Sequence, residues 1–527
     1  MNSKESEYTH YGRSHFFLKY GLSPENENFL SNINIIREKN PEEEIGFRGW
    51  LKGLRAPVPL FSTPQEQEGN GEEILIFSDS RHSFCCASRN ESNITIGFDL
   101  FHEIGLLLSG KLEEHAILPE KIDYRHPYVD LLEKFFFESM KMVNFSMGLP
   151  LIHKAFWPRG KPFALCLTHD VDELKKTYQW FTIPLKKFLR MDIKGVINQL
   201  LSFFDVLHGK EPFWTFPEIL AMEEKYHARS SFYFLQETAE VKLLEFNTWR
   251  HLGRRYSYDH PLAAQLLKSL QSGGWEVGLH GSYQSYADLE KLRMEKENLE
   301  KALGCEIHGI RQHNLNLRIP DTWFIHETLG LSYDTTLGFN DRIGFRWGTC
   351  FPFNPFIPEQ KLSMQVLEIP LIIEDLPFFR TADPFTSFSR IVAEIEYVGG
   401  LLTVLWHPPV FNSLEYPGWK DAYDQILAYA SAKDAWMTSA KEVADWWRER
   451  GKNSFKWEKS GDEVILHPSS LERGQCFICH IPPKFQLKNV YNSCILREDP
   501  DSSYVVLQTY PFQEGDCIKI YMDEMVL

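Results

Sequence analysis

The stretch Phe163-Ala164-Leu165-Cys166-Leu167-Thr168-His169-Asp170-Val171-Asp172 carries the reading of this chain. Its opening apolar run reads as a strand buried on both faces, the pattern of a parallel sheet covered by helices. Polar residues then arrive abruptly at the strand's C-terminal end. With extended geometry, Asp170 and Asp172 project to one side. His169 has the opposite parity and faces a helix layer or a neighbouring strand. A parallel βα architecture places its active site at such strand ends.

The same rhythm runs through residues 160–450. Candidate strands are Phe163–His169, Ser230–Leu235, Trp275–His280, Ile307–His313, Gln365–Ile373, Leu401–His407 and Ala435–Ser439. Amphipathic helical patterns lie between them at Pro261–Gln271, Ala287–Leu303, Pro320–Thr328, Ser387–Val398 and Trp419–Ala430. Strands alternating with helices over this length suit an α/β fold, a distorted (β/α) barrel rather than an open sheet. Three further strand ends repeat the polar pattern of the first. They read His280-Gly281-Ser282-Tyr283-Gln284, Arg311-Gln312-His313 and His407-Pro408-Pro409. Two carboxylates, three imidazoles and a guanidinium suffice for a metal, a base and an acid. The bland alternative for any one of them is a satisfied polar residue at a strand mouth.

The flanks read differently. Residues 1–155 form a mixed α/β region of unassigned role. It has a polar loop at Thr63–Gly71, a strand at Glu73–Phe77 and helical patterns at Phe101–Leu112 and Tyr128–Met142. Trp157-Pro158-Arg159-Gly160-Lys161-Pro162 punctuates the chain like a domain junction. Residues 455–527 read as short strands separated by Gly, Pro, Asp and Asn, a small β-rich C-terminal domain.

Composition narrows the partners. The 527 residues carry 72 Asp+Glu against 56 Lys+Arg, a net charge of −16, which opposes a nucleic-acid partner because phosphate binding needs a concentrated basic face. No apolar run is long enough to span a membrane, and no apolar segment behind a basic start marks a secretory signal. The nine cysteines are odd in number and lack framework spacing, so reduced thiols in the cytoplasm are expected. Cys476-Phe477-Ile478-Cys479-His480 matches a haem-attachment pattern, and Cys494 adds a possible zinc ligand. Strand alternation would separate Cys476 from Cys479, so ordinary strand cysteines are the reading. Aromatic residues make up 14% of the chain and supply either packing mass or ring faces for sugars.

The order of these motifs resembles the polysaccharide deacetylase superfamily (carbohydrate esterase family 4, the NodB-homology domain), over about residues 160–450. That resemblance implies a distorted (β/α) barrel that removes acetyl groups from N-acetylated sugars with a divalent metal, usually zinc. The family's T-F-D-D-G motif corresponds to Thr168-His169-Asp170-Val171-Asp172, in an Asp-x-Asp version. By this match Asp170 is the general base and Asp172 a metal ligand. Arg311 takes the place of the arginine that positions the catalytic Asp, and Leu405-Trp406-His407 matches L-x-H, making His407 the general acid. The segment Trp436–Val443 is similar to the family's final strand and helix. The sequence also resembles a branch reading T-H-D-V-D, G-L-H, R-Q-H and T-L-G-F, all present here.

The chain departs from the family at the second motif, H-[ST]-x-x-H, where His280 is followed by Gln284. A third ligand comes either from His313, at the mouth of the next strand, or from the Gln284 carbonyl, a weak zinc ligand. His313 as a substrate contact or a structural residue remains open. Asp334 or Asp341, in a loop from Tyr333 to Arg342 that would line the pocket, either orients His407 or is a structural turn carboxylate. Arg346 is either a contact for a polar substrate or a surface arginine. The implied reaction is metal-dependent removal of N-acetyl or O-acetyl groups from a carbohydrate precursor. Two alternatives stand beside it: a non-catalytic carbohydrate-binding protein on a degenerate deacetylase scaffold, and a hydrolase of other C–N bonds in cyclic amides or imides.

Overall fold

A computed structural model describes residues 6–22, 32–35, 72–78, 83–90, 93–114, 123–237, 254, 256–468, 475–499, 504–509 and 517–524. The loop expected at Thr63–Gly71 lies outside the described residues.

Nine barrel strands are labelled here in chain order. They are β1 (Ala164–Val171), β2 (Ser231–Leu235), β3 (Glu276–Gly281), β4 (Gly309–Gln312), β5 (Tyr333–Asp334), β6 (Leu367–Glu368), β7 (Ile373–Glu374), β8 (Leu401–Leu405) and β9 (Trp436–Thr438). Their order is β6-β5-β4-β3-β2-β1-β8-β7, with β9 also against β1, and every pairing is parallel. The sheet curls into a distorted (β/α) barrel. All eight residues of β1 are buried, as its apolar run demands. One edge of β1 pairs with β8, while the other pairs with β9 at Ala164–Cys166 and with β2 at Thr168–Val171.

Two expectations change. The strand expected over Gln365–Ile373 is two short strands, β6 and β7, because Pro370 has no N–H to give a ladder. Single hydrogen bonds carry the curl across this break, from Ile369 N to Asp334 O (2.9 Å), Leu371 N to Leu337 O (2.8 Å) and Ile372 N to Thr403 O (3.1 Å). Tyr333-Asp334, expected in a loop, forms β5 between β4 and β6. Two residues are too few for an alternation to show in sequence.

The helices end where their caps predict. Asp288 and Asp383 accept the backbone N–H of Lys291 and Thr386, each at 3.1 Å, and Gly304 and Gly399 close those helices at positive φ. Beneath the strand mouths the barrel is filled by Tyr233 and Tyr333, whose hydroxyls lie 3.1 Å apart. Gly309 makes room for them: a Cβ there would sit 1.9 Å from Tyr333 Cζ.

The flanking regions attach to this barrel and to each other. Lys19 is buried between Asp130 (2.8 Å) and Glu133 (2.6 Å), and Asp130 also accepts from Thr349 Oγ1 and Cys350 N of the barrel. Two four-stranded sheets form the C-terminal part, and one of them recruits strand Leu151–Lys154 against Cys476–His480. Cys476 and Cys479 are buried strand residues, and burial pushes their thiols up to about 11 and about 12. Among the described residues no helix is long and apolar enough to cross a membrane.

Candidate functional site

Six residues singled out in the sequence meet at the C-terminal mouth of the barrel, carried by β1, β3, β4 and β8. Asp170, near the end of β1, accepts a hydrogen bond from Arg311 Nη1 at 3.0 Å. Arg311 is fully buried. It also donates to Thr168 Oγ1 (2.8 Å) and Thr335 O (3.1 Å), and its guanidinium carbon lies 4.9 Å from the Tyr233 ring centre. Burial works to raise the Asp170 pKa, but the charges of His280, Arg311 and His407 outweigh it and hold the carboxyl below its ordinary value.

Beside this pair lie three potential ligand atoms. Asp172 Oδ1 is 3.3 Å from His280 Nε2 and 3.4 Å from His313 Nδ1, and the two ring nitrogens are 3.2 Å apart. Donors held about 2.0–2.1 Å from a tetrahedral ion stand roughly 3.3–3.4 Å from one another, so this triangle has the dimensions of a three-residue zinc face. Asp172 Oδ1 is buried and has no hydrogen-bond partner, an atom that costs free energy unless something is bound to it. His280 Nδ1 donates to Arg311 O at 2.8 Å, which leaves the Nε2 lone pair directed at the triangle. The donor set therefore fits a divalent metal. Gln284 is exposed and accepts from Lys291 Nζ at 3.3 Å; it stands outside the triangle, and His313 stands in it.

Arg254, which no sequence pattern marked, completes this wall. Its Nη2 is 3.1 Å from Asp172 Oδ2, its Nε donates to Glu173 Oε1 at 3.0 Å, and its Nη1 contacts His313 Nε2. A guanidinium only donates, so that last contact places the His313 proton on Nδ1. An ion on Nδ1 requires that the contact be given up.

On the opposite side, His407 lies two residues past the end of β8. Its Nδ1 lies 3.1 Å from both carboxylate oxygens of Asp375, and Asp375 Oδ2 also accepts the His407 backbone N–H at 2.6 Å. Burial disfavours a charged imidazole, yet Asp375, then Asp170 and Asp172, hold its pKa well above the ordinary value. Asp375 follows β7 directly and lies two residues past the strand end expected at Ile373, so the strand-end rule reaches it. The two sequence candidates for this role are elsewhere. Asp334 accepts from Thr336 N and lies 3.2 Å from His326 Nδ1, while Asp341 pairs with Arg342 at 2.8 Å at the surface. Glu374, Asp375 and His407 also form a group of potential ligands, but Asp375 already spends its oxygens on His407.

His169 faces away from the mouth, as its parity requires, with Nδ1 on Trp406 O (2.6 Å) and Nε2 on Glu223 (2.9 Å). Glu113, Tyr124, Leu315, Gly338, Phe339, Asn340, Arg342 and Arg346 line a cavity of about 420 Å³, which shares Leu315 with the turn that begins at His313. Arg346 spans it, paired with Glu113 through two 3.0 Å contacts.

No protein-family model and no curated protein matches the chain. Among solved structures the chain is similar to polysaccharide deacetylases. One, described as a polysaccharide deacetylase from Mycobacterium smegmatis, is 18% identical over 56% of this chain and 94% of its own, with a TM-score of 0.37. A PuuE allantoinase is 12% identical over 56% of this chain and 93% of its own, at a TM-score of 0.37. A CE4 family pseudoenzyme from Bacillus anthracis is 12% identical over 55% of this chain and 66% of its own, at a TM-score of 0.29.

Proposed function

We propose that the barrel is a metal-dependent hydrolase that removes N-acetyl, or O-acetyl, groups from a sugar or polysaccharide precursor. The observation that carries this reading is the buried triangle of Asp172 Oδ1, His280 Nε2 and His313 Nδ1, with the Asp170–Arg311 pair on one side and the Asp375–His407 pair on the other.

Asp172, His280 and His313 would hold the ion. Zinc bound there supplies a Lewis acid for the acyl carbonyl and lowers the pKa of the attacking water. Asp170 takes the water's proton. Arg311 keeps that carboxylate ionised and fixes its direction, because its buried charge has no other acid as a partner among its described hydrogen bonds. His407, held protonated by Asp375, gives its proton to the departing amine, which leaves poorly as an anion. The base is thus kept charged by cations and the acid is kept charged by anions, the divergence of pKa values that acid–base catalysis needs. The cavity that shares Leu315 with the turn from His313, with Tyr124 and Phe339 in its wall, supports a sugar ring as the body of the substrate.

A second reading has one specific observation in its favour. Arg254 already neutralises Asp172 and caps His313 Nε2, an arrangement that suits a metal-free binding site on the same scaffold. Metal analysis of the purified protein, followed by acetate release from N-acetylated oligosaccharides, separates the two. Bound zinc with released acetate supports the hydrolase. Carbohydrate binding with neither metal nor acetate would replace it with the binding protein, and turnover of small cyclic amides would move the substrate class.

A further inference from the structure

Between β1 and β2 the chain makes three helices, of which the first two, Gln179–Leu189 and Ile193–Leu207, pack against each other as a hairpin. The second is inside out. The stripe it buries is Gly195, Gln199 and Ser202, while the stripe at Ile193, Ile197, Leu200, Leu201 and Phe204 is at least 47% exposed. On the first helix Phe181, Leu185, Phe188 and Leu189 are 58–80% exposed, and Met191 at the turn is 79% exposed. A contiguous apolar surface of this extent is foreign to a free surface.

The hairpin is not loosely attached. Gln199 Nε2 donates to Glu415 Oε2 at 3.0 Å, Ser202 Oγ donates to Glu415 Oε1, and Lys176 Nζ donates to Gln199 (2.6 Å) and Glu415 (2.6 Å). Gln179 also donates to Glu173 at 2.7 Å, the residue that holds Arg254. A buried polar network therefore fixes the hairpin at the barrel mouth with its apolar face outward.

Charge decides what that face meets. In a chain of net charge −16, the hairpin carries Lys186, Lys187, Arg190 and Lys194 against Asp192 and Asp205. Arg190 and Lys194 flank the apolar turn at Leu189, Met191 and Ile193, and both are exposed. Exposed aliphatic and aromatic residues with interleaved Lys and Arg are the chemistry of a helix lying in a bilayer interface. A second copy docked by a two-fold contact would bring a second patch of the same net positive charge against the first.

We propose that the hairpin Gln179–Leu207 seats this protein on an anionic lipid surface, its apolar face in the acyl boundary and its basic residues on the headgroups. The barrel mouth then faces the membrane, and a substrate carried on a lipid reaches the site without leaving the surface. The lipid contact goes beyond the hydrolase reading and stands independently of it.

Co-sedimentation of the full chain with vesicles of equal parts phosphatidylcholine and phosphatidylglycerol tests this. Binding is expected to these vesicles and not to phosphatidylcholine alone, and to fall as salt is raised. The double variant L189E/M191E removes only exposed side chains and should bind more than about tenfold more weakly with an unchanged circular dichroism spectrum. K186E/R190E should lose the preference for phosphatidylglycerol. D170N should bind as the native chain does, whatever its activity. Absence of vesicle binding, equal binding by L189E/M191E, or a dimer in sedimentation that L189E/M191E dissociates would each overturn the proposal.

Discussion

His407 and Asp375 are joined twice: the carboxylate receives both the imidazole Nδ1, at 3.1 Å, and the backbone N–H of the same residue, at 2.6 Å. The double contact fixes the ring's direction and tautomer together. It also ties the second residue past β8 to the residue after β7, across neighbouring strands of the barrel.

D375N keeps an oxygen for the backbone N–H but removes the charge that sustains the imidazolium. Activity is expected to fall about a hundredfold or more, with the alkaline limb of the kcat/KM profile moving to lower pH. A pH–rate profile checks it, and an unmoved alkaline limb would separate His407 from proton donation.

Asp170 lies outside the metal triangle, so D170N should separate chemistry from binding. Hydrolysis should fall by about a hundredfold to ten-thousandfold, while bound zinc is retained. The Asn oxygen still accepts from Arg311 Nη1, so the fold should survive. Metal analysis and acetate release on one preparation check both halves. Full activity in D170N would remove Asp170 from the role of base.

Much of this was legible in the sequence because barrel strands are buried on both faces and turn polar at their ends. Asp170, Asp172, His280, Arg311, His313 and His407 all lie at such ends, and they meet. Asp375 and Glu374 obey the same rule, since they directly follow Ile373, where the sequence pattern ends that strand. Arg254 carries no periodic signal at all; it reaches Asp172 and His313 through space. The hairpin's helical period is visible in its residues. Which of its two stripes faces inward is not, because a buried Glu415 more than two hundred residues away decides that.

His313 and Gln284 make opposite predictions about zinc. H313A should weaken zinc binding by more than about a hundredfold, because it removes one corner of the triangle. Q284H should leave affinity unchanged, since Gln284 is exposed and faces Lys291. The ion would join β1, β3 and β4, so zinc at a hundred times its Kd should stabilise the native chain by about 3 kcal/mol, and a chelator should remove that gain. Calorimetric titration and thermal melts measure these effects. A clear gain in zinc affinity for Q284H would relocate the third ligand.

Arg254 opposes the ion in two ways, by its charge next to Asp172 and by the tautomer it imposes on His313. R254Q should therefore bind zinc about tenfold more tightly at neutral pH. Weaker binding in R254Q would mean that the guanidinium orients Asp172 for the metal and does not compete with it.

Glu374 gives a pH dependence of stability that can be read apart from catalysis. Burial pushes its carboxyl up to about 8, with His407 opposing the shift and Asp375 and Asp170 adding to it. Between its ordinary value of 4.5 and about 8 the unfolded chain is ionised at this position while the folded chain keeps its proton. The folded state then binds more protons, so this residue costs increasing stability as pH rises through that window, and no more above it. E374Q cannot ionise and escapes the cost. Its stability relative to the native chain should rise from pH 4.5 to 8 by up to a few kcal/mol, on the order set by the shift, and then level off. Urea unfolding of both chains across this range checks the sign: a difference that shrinks with rising pH would mean that Glu374 is ionised in the folded protein.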